Sequence, residues 1–497
     1  MIIVNSNITG STSHLFLFSD KVKEYGKLPA LITPVNMLTY QEYYRQVLII
    51  SQKLRDSNLK FGDKLAILAP NSLEYIVLLI ALWYVGIVAV PISTRWPKSV
   101  IEKNLENIHC NMLIFSETLS YQSFSKKIRT MILEELVSLK ITEDKNEDTE
   151  ELSCDLNQNA SIVFTSGSSG FPRAVVHTLG NHYFSALGSN QNIPVSPGDR
   201  WLLSLPLYHV GGLSIIVRSL LGGGAIVIRE ENKLLHEVIE NSEITHISLV
   251  STQFQRLLQN KDAIKNLRNM KAILLGGGPV SDSIIQEAVD LGLPLFTSYG
   301  STEMASQISS TPAGDTFDRL KTCGKLLQYR ELKIAFDGEV LVKGVTLGKG
   351  YIDNGKLVNL RDREGWYHTG DFGKLDNAGY LIVIGRKDNM FISGGENIQP
   401  EEIENILSGL KGIETILVVP VKNEEFGHRP VAFVKMSVNK EINIKFMKQY
   451  LEKHLPRYKI PDHFFSWPAD ESEQNTLKIK REKFRVMAEK LIDRKKK

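Results

Sequence analysis

Residues 161–176 of the chain read SIVFTSGSSGFPRAVV, which is two apolar runs on either side of six Ser, Thr and Gly residues. Apolar strand formers with Gly and Ser between them predict a strand, a loop and a second strand. The two glycines let backbone N–H groups approach an anion closely, and the cation Arg173 follows at once. The pattern is typical of a loop that binds polyphosphate, although an isolated Ser/Gly loop is also a common surface turn.

Two better-known motifs do not fit this loop. A Walker A loop has four residues between its glycines and then Gly-Lys-Ser/Thr, whereas only two residues separate Gly167 from Gly170. A nucleophile elbow needs the frame Gly-x-Ser-x-Gly, in which neither Ser168 nor Ser169 stands. The loop therefore predicts neither a P-loop NTPase nor a serine hydrolase.

The bulk composition excludes several classes of protein. A chain of 497 residues has room for two to four domains, and its net charge of +3 is too small to favour a nucleic-acid partner. The three cysteines, Cys110, Cys154 and Cys323, are far apart, which predicts neither a disulfide framework nor a zinc site and favours a cytoplasmic location. We expect no signal peptide, and the longest apolar run, residues 75–90, is too short to span a bilayer.

Strand and helix patterns alternate through residues 1–160. A buried strand is predicted at residues 64–68, a helix capped by Asn71 or Ser72 follows it, and a strand at residues 87–91 ends in proline. This βαβ order predicts an α/β fold in which helices cover mostly parallel sheets.

The pattern changes beyond residue 385, where a helix at residues 400–410 is followed by two strand-like segments and a second helix. We therefore predict two units. Residues 1–385 form a large N-terminal domain, which includes a small β-barrel-like part, and residues 386–497 form a small mobile α+β lid.

The stretch TSGSSGFPRAV resembles the phosphate loop of the adenylate-forming superfamily, which comprises acyl-CoA synthetases, adenylation domains and luciferases. That superfamily usually has Lys and Gly where this chain has Arg173 and Ala174. Arg keeps the positive charge and can bind two phosphate oxygens at once. Three further motifs follow in the superfamily's order: AILLGGGPV at residues 272–280, PLFTSYGSTEMASQ at residues 294–307 and GWYHTGD at residues 365–371.

The resemblance implies an ATP site in which Tyr299 stacks on the base, Asp371 accepts the ribose hydroxyls and Glu303 binds Mg²⁺. Without the resemblance, Glu303 is more simply an acid at the start of a helix. The full set of implied ATP-binding residues is Thr165, Ser166, Gly167, Ser168, Ser169, Gly170, Arg173, Gly277, Gly278, Pro279, Ser298, Tyr299, Gly300, Thr302, Asp371 and Arg386.

The C-terminal motifs imply a moving lid. GRKD at residues 385–388 resembles the superfamily's hinge, with Asp388 as its pivot, and Gly394 and Gly395 would line a channel for coenzyme A. Lys478 aligns with the adenylating lysine of the superfamily, and Lys480 is a rival two residues away.

The segments LPLYHVGGLSIIVRSLL and THISLVSTQFQRLL resemble one family within the superfamily, the o-succinylbenzoate–CoA ligases of menaquinone and phylloquinone biosynthesis. The resemblance places His209 at the acyl pocket and makes Arg218 the receptor for the substrate's second carboxylate. The alternatives are a satisfied loop histidine at position 209, and an arginine at position 218 that reaches solvent or pairs with a local acid.

These resemblances together imply an ATP- and Mg²⁺-dependent acid–CoA ligase that works through an acyl-adenylate, with Lys478, Glu303 and His209 as its catalytic residues. Its partner would be a small-molecule acid, without nucleic acid or membrane insertion, and a homodimer or higher assembly stays open. Two alternatives remain: a general aryl or medium-chain acyl-CoA synthetase, in which Arg218 is structural, and a nucleotide-binding homologue with impaired catalysis.

Overall fold

The structure is a computed structural model that describes residues 2–5, 15–119, 124–137, 153–165, 172–230, 233–410, 412–436, 443–468 and 481–496. Its strands, in chain order, are β1 (Ile2–Asn5), β2 (Leu15–Leu17), β3 (Pro29–Ile32), β4 (Met37–Thr39), β5 (Lys64–Leu68), β6 (Val88–Pro91), β7 (Met112–Phe115), β8 (Arg129–Ile132), β9 (Ser153–Asp155), β10 (Asn159–Phe164), β11 (Ala174–Thr178), β12 (Arg200–Leu202), β13 (Ala225–Val227), β14 (His246–Leu249), β15 (Ala272–Leu275), β16 (Leu295–Ser301), β17 (Ser306–Ser310), β18 (Lys325–Leu326), β19 (Arg330–Ile334), β20 (Glu339–Gly344), β21 (Gly350–Asp353), β22 (Lys356–Asn359), β23 (Tyr367–Leu375), β24 (Leu381–Arg386), β25 (Phe391–Ser393), β26 (Glu396–Ile398), β27 (Ile413–Asn423), β28 (Gly427–Met436) and β29 (His463–Ser466).

The helices, in chain order, are α1 (Phe18–Tyr25), α2 (Tyr40–Asp56), α3 (Leu73–Tyr84), α4 (Lys98–Asn107), α5 (Leu133–Leu136), α6 (Leu179–Asn192), α7 (Val210–Gly222), α8 (Leu235–Asn241), α9 (Ser251–Leu258), α10 (Lys261–Arg268), α11 (Asp282–Asp290), α12 (Phe317–Leu320), α13 (Pro400–Ser408), α14 (Ile444–Glu452) and α15 (Arg481–Lys496). Short 3₁₀ turns lie at Lys387–Asn389 and Arg457–Lys459.

Local sequence explains where the first βαβ unit begins and ends. The strand β5 has the bounds that the pattern predicted, and the Ser72 side chain accepts a hydrogen bond from the Tyr75 N–H, which caps α3. The apolar run at residues 75–90 divides between α3 and β6, and nearly all of α3 is buried. Among the residues that the structure describes, none of the helices combines the length and apolarity that a membrane span requires.

Two large sheets form the N-terminal part. One has the strand order β22-β21-β11-β10-β6-β5-β7-β8, and the other has the order β18-β17-β16-β15-β14-β12-β13-β3-β4. Both have parallel strands at their centre. The first sheet has antiparallel strands toward its β22 margin only, and the second has them at both margins. The largest apolar cluster takes residues from both sheets and from α2, α3, α6 and α7, so these helices pack between the sheets. This arrangement is the predicted α/β fold.

A smaller antiparallel sheet has the order β1-β19-β20-β23-β24 and corresponds to the predicted barrel-like part. The strands beyond it form the β25-β26 hairpin and the sheet β27-β28-β29, which has an apolar core of its own with α13 and α14. This C-terminal α+β arrangement follows the predicted helix and strand order closely.

The helix α7 begins before the apolar run LSIIVRSLL at residues 213–221. It starts at Val210 and takes in Gly211 and Gly212. A Cβ on Gly212 would lie 2.3 Å from the carbonyl oxygen of Pro206. The glycines therefore let the helix approach the loop closely. Because glycine has a low helix propensity, the sequence alone does not favour a helix at these positions.

Candidate active site

The base of the Ser/Gly loop is a hairpin between β10 and β11. The Thr165 N–H donates to the Arg173 carbonyl at 2.9 Å, and the Arg173 N–H donates to Thr165 Oγ1 at 3.3 Å. Ala174 is fully buried in the sheet opposite Phe164, so its extra methyl group packs in the core. The loop predictions for Ser166, Gly167, Ser168, Ser169 and Gly170 lie outside the described residues.

Tyr351 connects Arg173, which lies at the end of this hairpin, to Glu303. Its guanidinium lies over the Tyr351 ring, 5.3 Å from the centroid, and the Tyr351 hydroxyl donates to Glu303 Oε1 at 2.6 Å. The Tyr367 hydroxyl lies 3.1 Å from that of Tyr351. Burial, followed by the charge of Glu303, raises the pKa of Tyr351 to about 12, so its hydroxyl stays protonated and keeps donating.

Glu303 lies in a tight turn between β16 and β17, so it is not an acid at the start of a helix. Its carbonyl accepts the Gly348 N–H at 2.8 Å, and its residue is only 9% exposed. The turn ends at Ala305 and Ser306, which have positive φ angles of 53° and 122°. Such backbone is costly for non-glycine residues, so packing must hold this turn in its shape.

Asp371, the residue expected to bind the ribose, lies on β23. Its Oδ2 accepts from the Tyr299 hydroxyl at 2.5 Å, and its Oδ1 accepts from Arg386 Nη1 at 3.0 Å. Burial and then the Asp371 charge raise the pKa of Tyr299 well above its ordinary value. Burial lowers the pKa of Arg386, but Asp371 and Asp388 outweigh this effect and raise it overall. The carboxylate therefore accepts from a cationic donor on one oxygen and from a neutral donor on the other.

The glycine segment after β15 borders the same region. The Ser298 hydroxyl donates to the Leu275 carbonyl at 2.9 Å and ties β16 to the end of β15. Gly277 has φ +83°, a conformation that favours glycine, and Gly278 and Pro279 are exposed. Gly300 lies so close to β17 that a Cβ would be 2.1 Å from the Ser306 carbonyl oxygen. Thr302 is half-buried in the turn that carries Glu303.

On the other side of β17 lies α7, which begins directly after His209. The His209 ring is half-buried and packs against the Tyr208 ring, with 4.7 Å between centroids. Within α7, Arg218 is only 1% exposed, and its Nη2 donates to Gln307 Oε1 at 2.8 Å and to Ser306 Oγ at 3.3 Å.

Both ordinary explanations of Arg218 fail here. The side chain does not reach solvent, and within the described parts of the chain no carboxylate lies within 4.0 Å of its guanidinium. Its Nε is buried without a hydrogen-bond partner among those residues, and its guanidinium lies 5.4 Å from the Trp201 ring centroid. Burial lowers the pKa of Arg218 to about 9.

The predicted hinge and channel residues follow β24. Asp388 is exposed, and its Oδ2 accepts from Arg386 Nη2 at 3.3 Å. Gly394 and Gly395 form the β25-β26 turn with φ angles of +58° and +87°. A Cβ on Gly394 would lie 2.9 Å from the Phe426 ring. Lys478 and its rival Lys480 lie outside the described residues.

The donor set fits a magnesium ion held together with phosphates. Within the described ranges, no three His, Cys, Asp or Glu side chains form a metal cluster. Mg²⁺ commonly takes one or two carboxylates and completes its shell with phosphate oxygens and water. Glu303, a single buried carboxylate oriented by the neutral Tyr351 hydroxyl, meets that requirement.

Four residues of this region had no predicted role. Tyr351 and Arg330 lie outside the quoted motifs, and Gln307 and Tyr367 lie inside motifs without a role of their own. Tyr351 stands 48 residues from the Glu303 that it contacts, and Arg330 stands 23 residues from Gln307. These contacts join different sheets, since Tyr351 lies on β21 and Arg330 on β19, so the spacing within a motif contains no signal for them.

Two family models match the chain. The model for AMP-binding enzymes matches residues 18–352, and the model for the C-terminal domain of AMP-binding enzymes matches residues 402–475. The first match includes every described N-terminal site residue up to Tyr351, and the second includes most of the C-terminal sheet.

Individual proteins are similar over nearly the whole chain. The 2-succinylbenzoate–CoA ligase of Oceanobacillus iheyensis is 36% identical over 433 residues, 85% of this chain and 89% of that protein. The o-succinylbenzoate CoA synthetase of Bacillus subtilis, solved with the acyl-adenylate intermediate OSB-AMP, is 30% identical, with a TM-score of 0.81 and coverage of 95% and 98%. The same Bacillus subtilis enzyme solved with ATP and magnesium ion is 29% identical, with a TM-score of 0.81 and coverage of 94% and 99%.

Proposed function

Because this chain belongs to the AMP-binding enzyme family, we infer that it is an ATP-dependent acid–CoA ligase that converts o-succinylbenzoate to o-succinylbenzoyl-CoA through an acyl-adenylate. This activity belongs to menaquinone biosynthesis. One observation carries the proposal. Arg173, Glu303 and Asp371 come from three distant motifs. Tyr351 joins Arg173 to Glu303, Tyr299 contacts Asp371, and both tyrosines pack against the same apolar cluster.

In the first half-reaction, a carboxylate oxygen of the acid attacks the α-phosphorus of ATP and pyrophosphate leaves. Charge grows on the phosphate oxygens, so positioned donors and cations lower the barrier. We propose that Arg173, the loop residues 165–170, Thr302 and Lys478 supply these donors. Mg²⁺ on Glu303 would neutralise part of the phosphate charge when it is bound.

The nucleotide's other groups fit the remaining contacts. Asp371 is held by Arg386 and Tyr299 at the end of the site, where its carboxylate can accept the ribose hydroxyls. The exposed segment 277–279, the Tyr299 ring and the backbone at Ser298 and Gly300 border the space proposed for adenine.

In the second half-reaction, the sulfur of coenzyme A attacks the acyl carbon and AMP leaves. We propose that residues 386–497 act as a lid that turns about Asp388 between the two steps. The turn would remove Lys478 and bring the Gly394–Gly395 turn to the thiol channel beside His209. Support comes from the separate apolar core of the C-terminal sheet and from the exposed position of Asp388.

The substrate has two carboxylates, of which only one is activated. We propose that Arg218 binds the other, because a buried guanidinium with only neutral partners among the described residues is suited to receive an anion. Ser306, one of those partners, is three residues from Glu303 at the end of the same turn, so one short segment contacts Arg218 and carries the proposed magnesium ligand.

The cellular setting and the assembly stay predictions. We propose a cytoplasmic location from the unpaired cysteines and from the use of ATP and coenzyme A. A homodimer or higher assembly is also proposed, and sedimentation equilibrium would measure it directly.

The test is to incubate the purified protein with o-succinylbenzoate, ATP, Mg²⁺ and coenzyme A. We expect AMP, pyrophosphate and the acyl-CoA in equal amounts. Without coenzyme A, acid-dependent exchange of labelled pyrophosphate into ATP should persist, because the adenylate forms first. A matched reaction uses 4-oxo-4-phenylbutanoate, which keeps the activated carboxylate and lacks the one on the ring.

Formation of ADP and phosphate would contradict the adenylate. Equal kcat/KM for the two acids would contradict the role of Arg218 and point instead to a general aryl or medium-chain ligase. Acid-independent ATP binding without pyrophosphate exchange would identify an impaired homologue.

A further inference from the structure

Two arginines are buried side by side in the large domain. Arg218 on α7 is 1% exposed and Arg330 on β19 is 0% exposed. Arg330 donates to the carbonyl oxygens of Gln307 (2.7 Å) and Gln328 (2.6 Å) and to Ser185 Oγ (3.0 Å). Within the described ranges, neither guanidinium has a carboxylate within 4.0 Å. A buried cation is expensive without a counter-charge, so this pair needs an explanation.

Gln307 connects the two cations. Its Oε1 accepts from Arg218 Nη2 at 2.8 Å and from Ser189 Oγ at 2.7 Å, and its backbone carbonyl accepts from Arg330 Nε. Its Nε2 is buried and, like Arg218 Nε, has no hydrogen-bond partner among the described residues. The group around Gln307 therefore has two buried N–H donors to spare and two uncompensated positive charges.

An amide at this position orients a guanidinium without neutralising it. A carboxylate there would form a charge-assisted ion pair with Arg218 and satisfy its charge inside the protein. Each arginine also disfavours the charge of the other, and burial lowers the pKa of both to about 9. The arrangement thus maintains a positive potential at Arg218 that an anion from outside can satisfy.

We propose that Gln307 is a positioning residue that holds Arg218 in place but leaves its charge unsatisfied, so that the free carboxylate of the acid completes the group. Arg330 strengthens the same field without touching the acid. This inference rests on the role proposed for Arg218, and it adds that the side chain at position 307 sets the preference for dicarboxylates over monocarboxylates.

The test is Gln307→Glu, which changes one amide to a carboxylate of nearly the same shape. The measured quantity is the ratio of kcat/KM for o-succinylbenzoate to that for 4-oxo-4-phenylbutanoate. We expect the ratio to fall about 30-fold, in the range of losing one hydrogen-bonded charge contact. The fall should appear as a higher KM for o-succinylbenzoate with a smaller change in its kcat, since Arg218 is proposed to bind a carboxylate that does not react.

Gln41→Glu is the matched control, because Gln41 is exposed in the first turn of α2, and its ratio should equal that of the parent. Gln307→Met removes the acceptor without adding charge, and we expect a smaller fall of about 5-fold. This second variant decides the matter if Gln307→Glu does not fold, as judged by thermal unfolding.

The variant Arg218→Met distinguishes the role proposed for Gln307 from the role proposed for Arg218. If Arg218→Met lowers the ratio but both Gln307 variants leave it unchanged, the role of Gln307 is wrong and that of Arg218 stands. If Arg218→Met also leaves the ratio unchanged, the proposed carboxylate contact itself is wrong.

Discussion

Arg218 in the large domain and Arg481 at the start of α15 show two ways to bury a guanidinium. Arg218 contacts only neutral groups among the described residues. Arg481, whose side chain is 21% exposed, bonds to both oxygens of Glu404, at 2.5 and 2.7 Å, and to Glu401 at 3.1 Å. Burial lowers the pKa of Arg481, but the two carboxylates outweigh it and raise the pKa overall.

The difference separates a structural cation from a receptive one. Arg481 has its counter-charges within the fold, and its removal would leave two carboxylates uncompensated. Arg218 has none within the described residues, so its own removal leaves no carboxylate there without its partner. We therefore expect the loss of Arg481 to lower mainly the stability of the protein, and the loss of Arg218 to lower mainly its selectivity for the ligand.

The largest effect should come from Arg481→Met. We expect the free energy of unfolding of the C-terminal unit to fall by about 3 to 5 kcal/mol, because Glu401 and Glu404 lose their partner. Urea unfolding followed by circular dichroism measures the change. Adding Glu401→Gln and Glu404→Gln to the same variant should recover much of the loss, and no recovery would show that the ion pairs are not its cause.

His182 is a third buried basic group, and it differs from the two arginines because burial favours its neutral form. His182 bonds Ser161 Oγ at 2.7 Å, its ring stacks on Trp83 and lies 5.1 Å from His177, and burial lowers its pKa from 6.5 to about 4. The folded state thus resists the proton that the unfolded state accepts. The stability that His182 contributes is fully present above pH 6.5 and is lost as the pH falls toward 4, in total about 3 kcal/mol.

The variant His182→Gln should reduce the pH dependence of the unfolding free energy between pH 6.5 and 4, since an amide does not titrate. Part of the slope should remain, because burial also lowers the pKa of His177 and of His246. The same change at the exposed His454 is the control and should leave the slope intact. An unchanged slope in His182→Gln would assign the acid sensitivity to other groups.

The smallest change in stability should come from Arg218→Met. Loss of its hydrogen bonds costs stability, and removal of a buried charge restores some, so we expect a net change within about 1 kcal/mol. The same urea experiment as for Arg481→Met measures it. A loss as large as that of Arg481→Met would mean that Arg218 is a structural cation as well, and the comparison would fail.

The sequence predicted mostly parallel sheets covered by helices, a cap for α3 at Asn71 or Ser72, and most of the C-terminal helices and strands. These features depend on local periodicity and capping. It placed Arg173, Glu303 and Asp371 in one site only through motif resemblance. Tyr351, which contacts Arg173 and Glu303, lies on a strand of another sheet than the turn that carries Glu303. Gln307 contacts Arg218 and Arg330 from separate elements, so local patterns contain no signal for these contacts.

Sequence spacing also fails to predict contacts between residues on different secondary-structure elements. His177 and His182 are five residues apart and would not share a helix face, yet their rings lie 5.1 Å apart because one is on β11 and the other on α6. Periodicity describes a single element, so contacts across a strand–helix junction need the fold itself.

The anchoring of Arg481 has a mechanical consequence for the chain around it. On one side of residues 469–480, the Trp467 N–H donates to the Val434 carbonyl at 2.9 Å, and on the other side Arg481 donates to the Val418 carbonyl at 2.7 Å. Val418 and Val434 lie on the paired strands β27 and β28, so both flanking residues are attached to the same small sheet. A displacement of that sheet would therefore move Trp467 and Arg481 together.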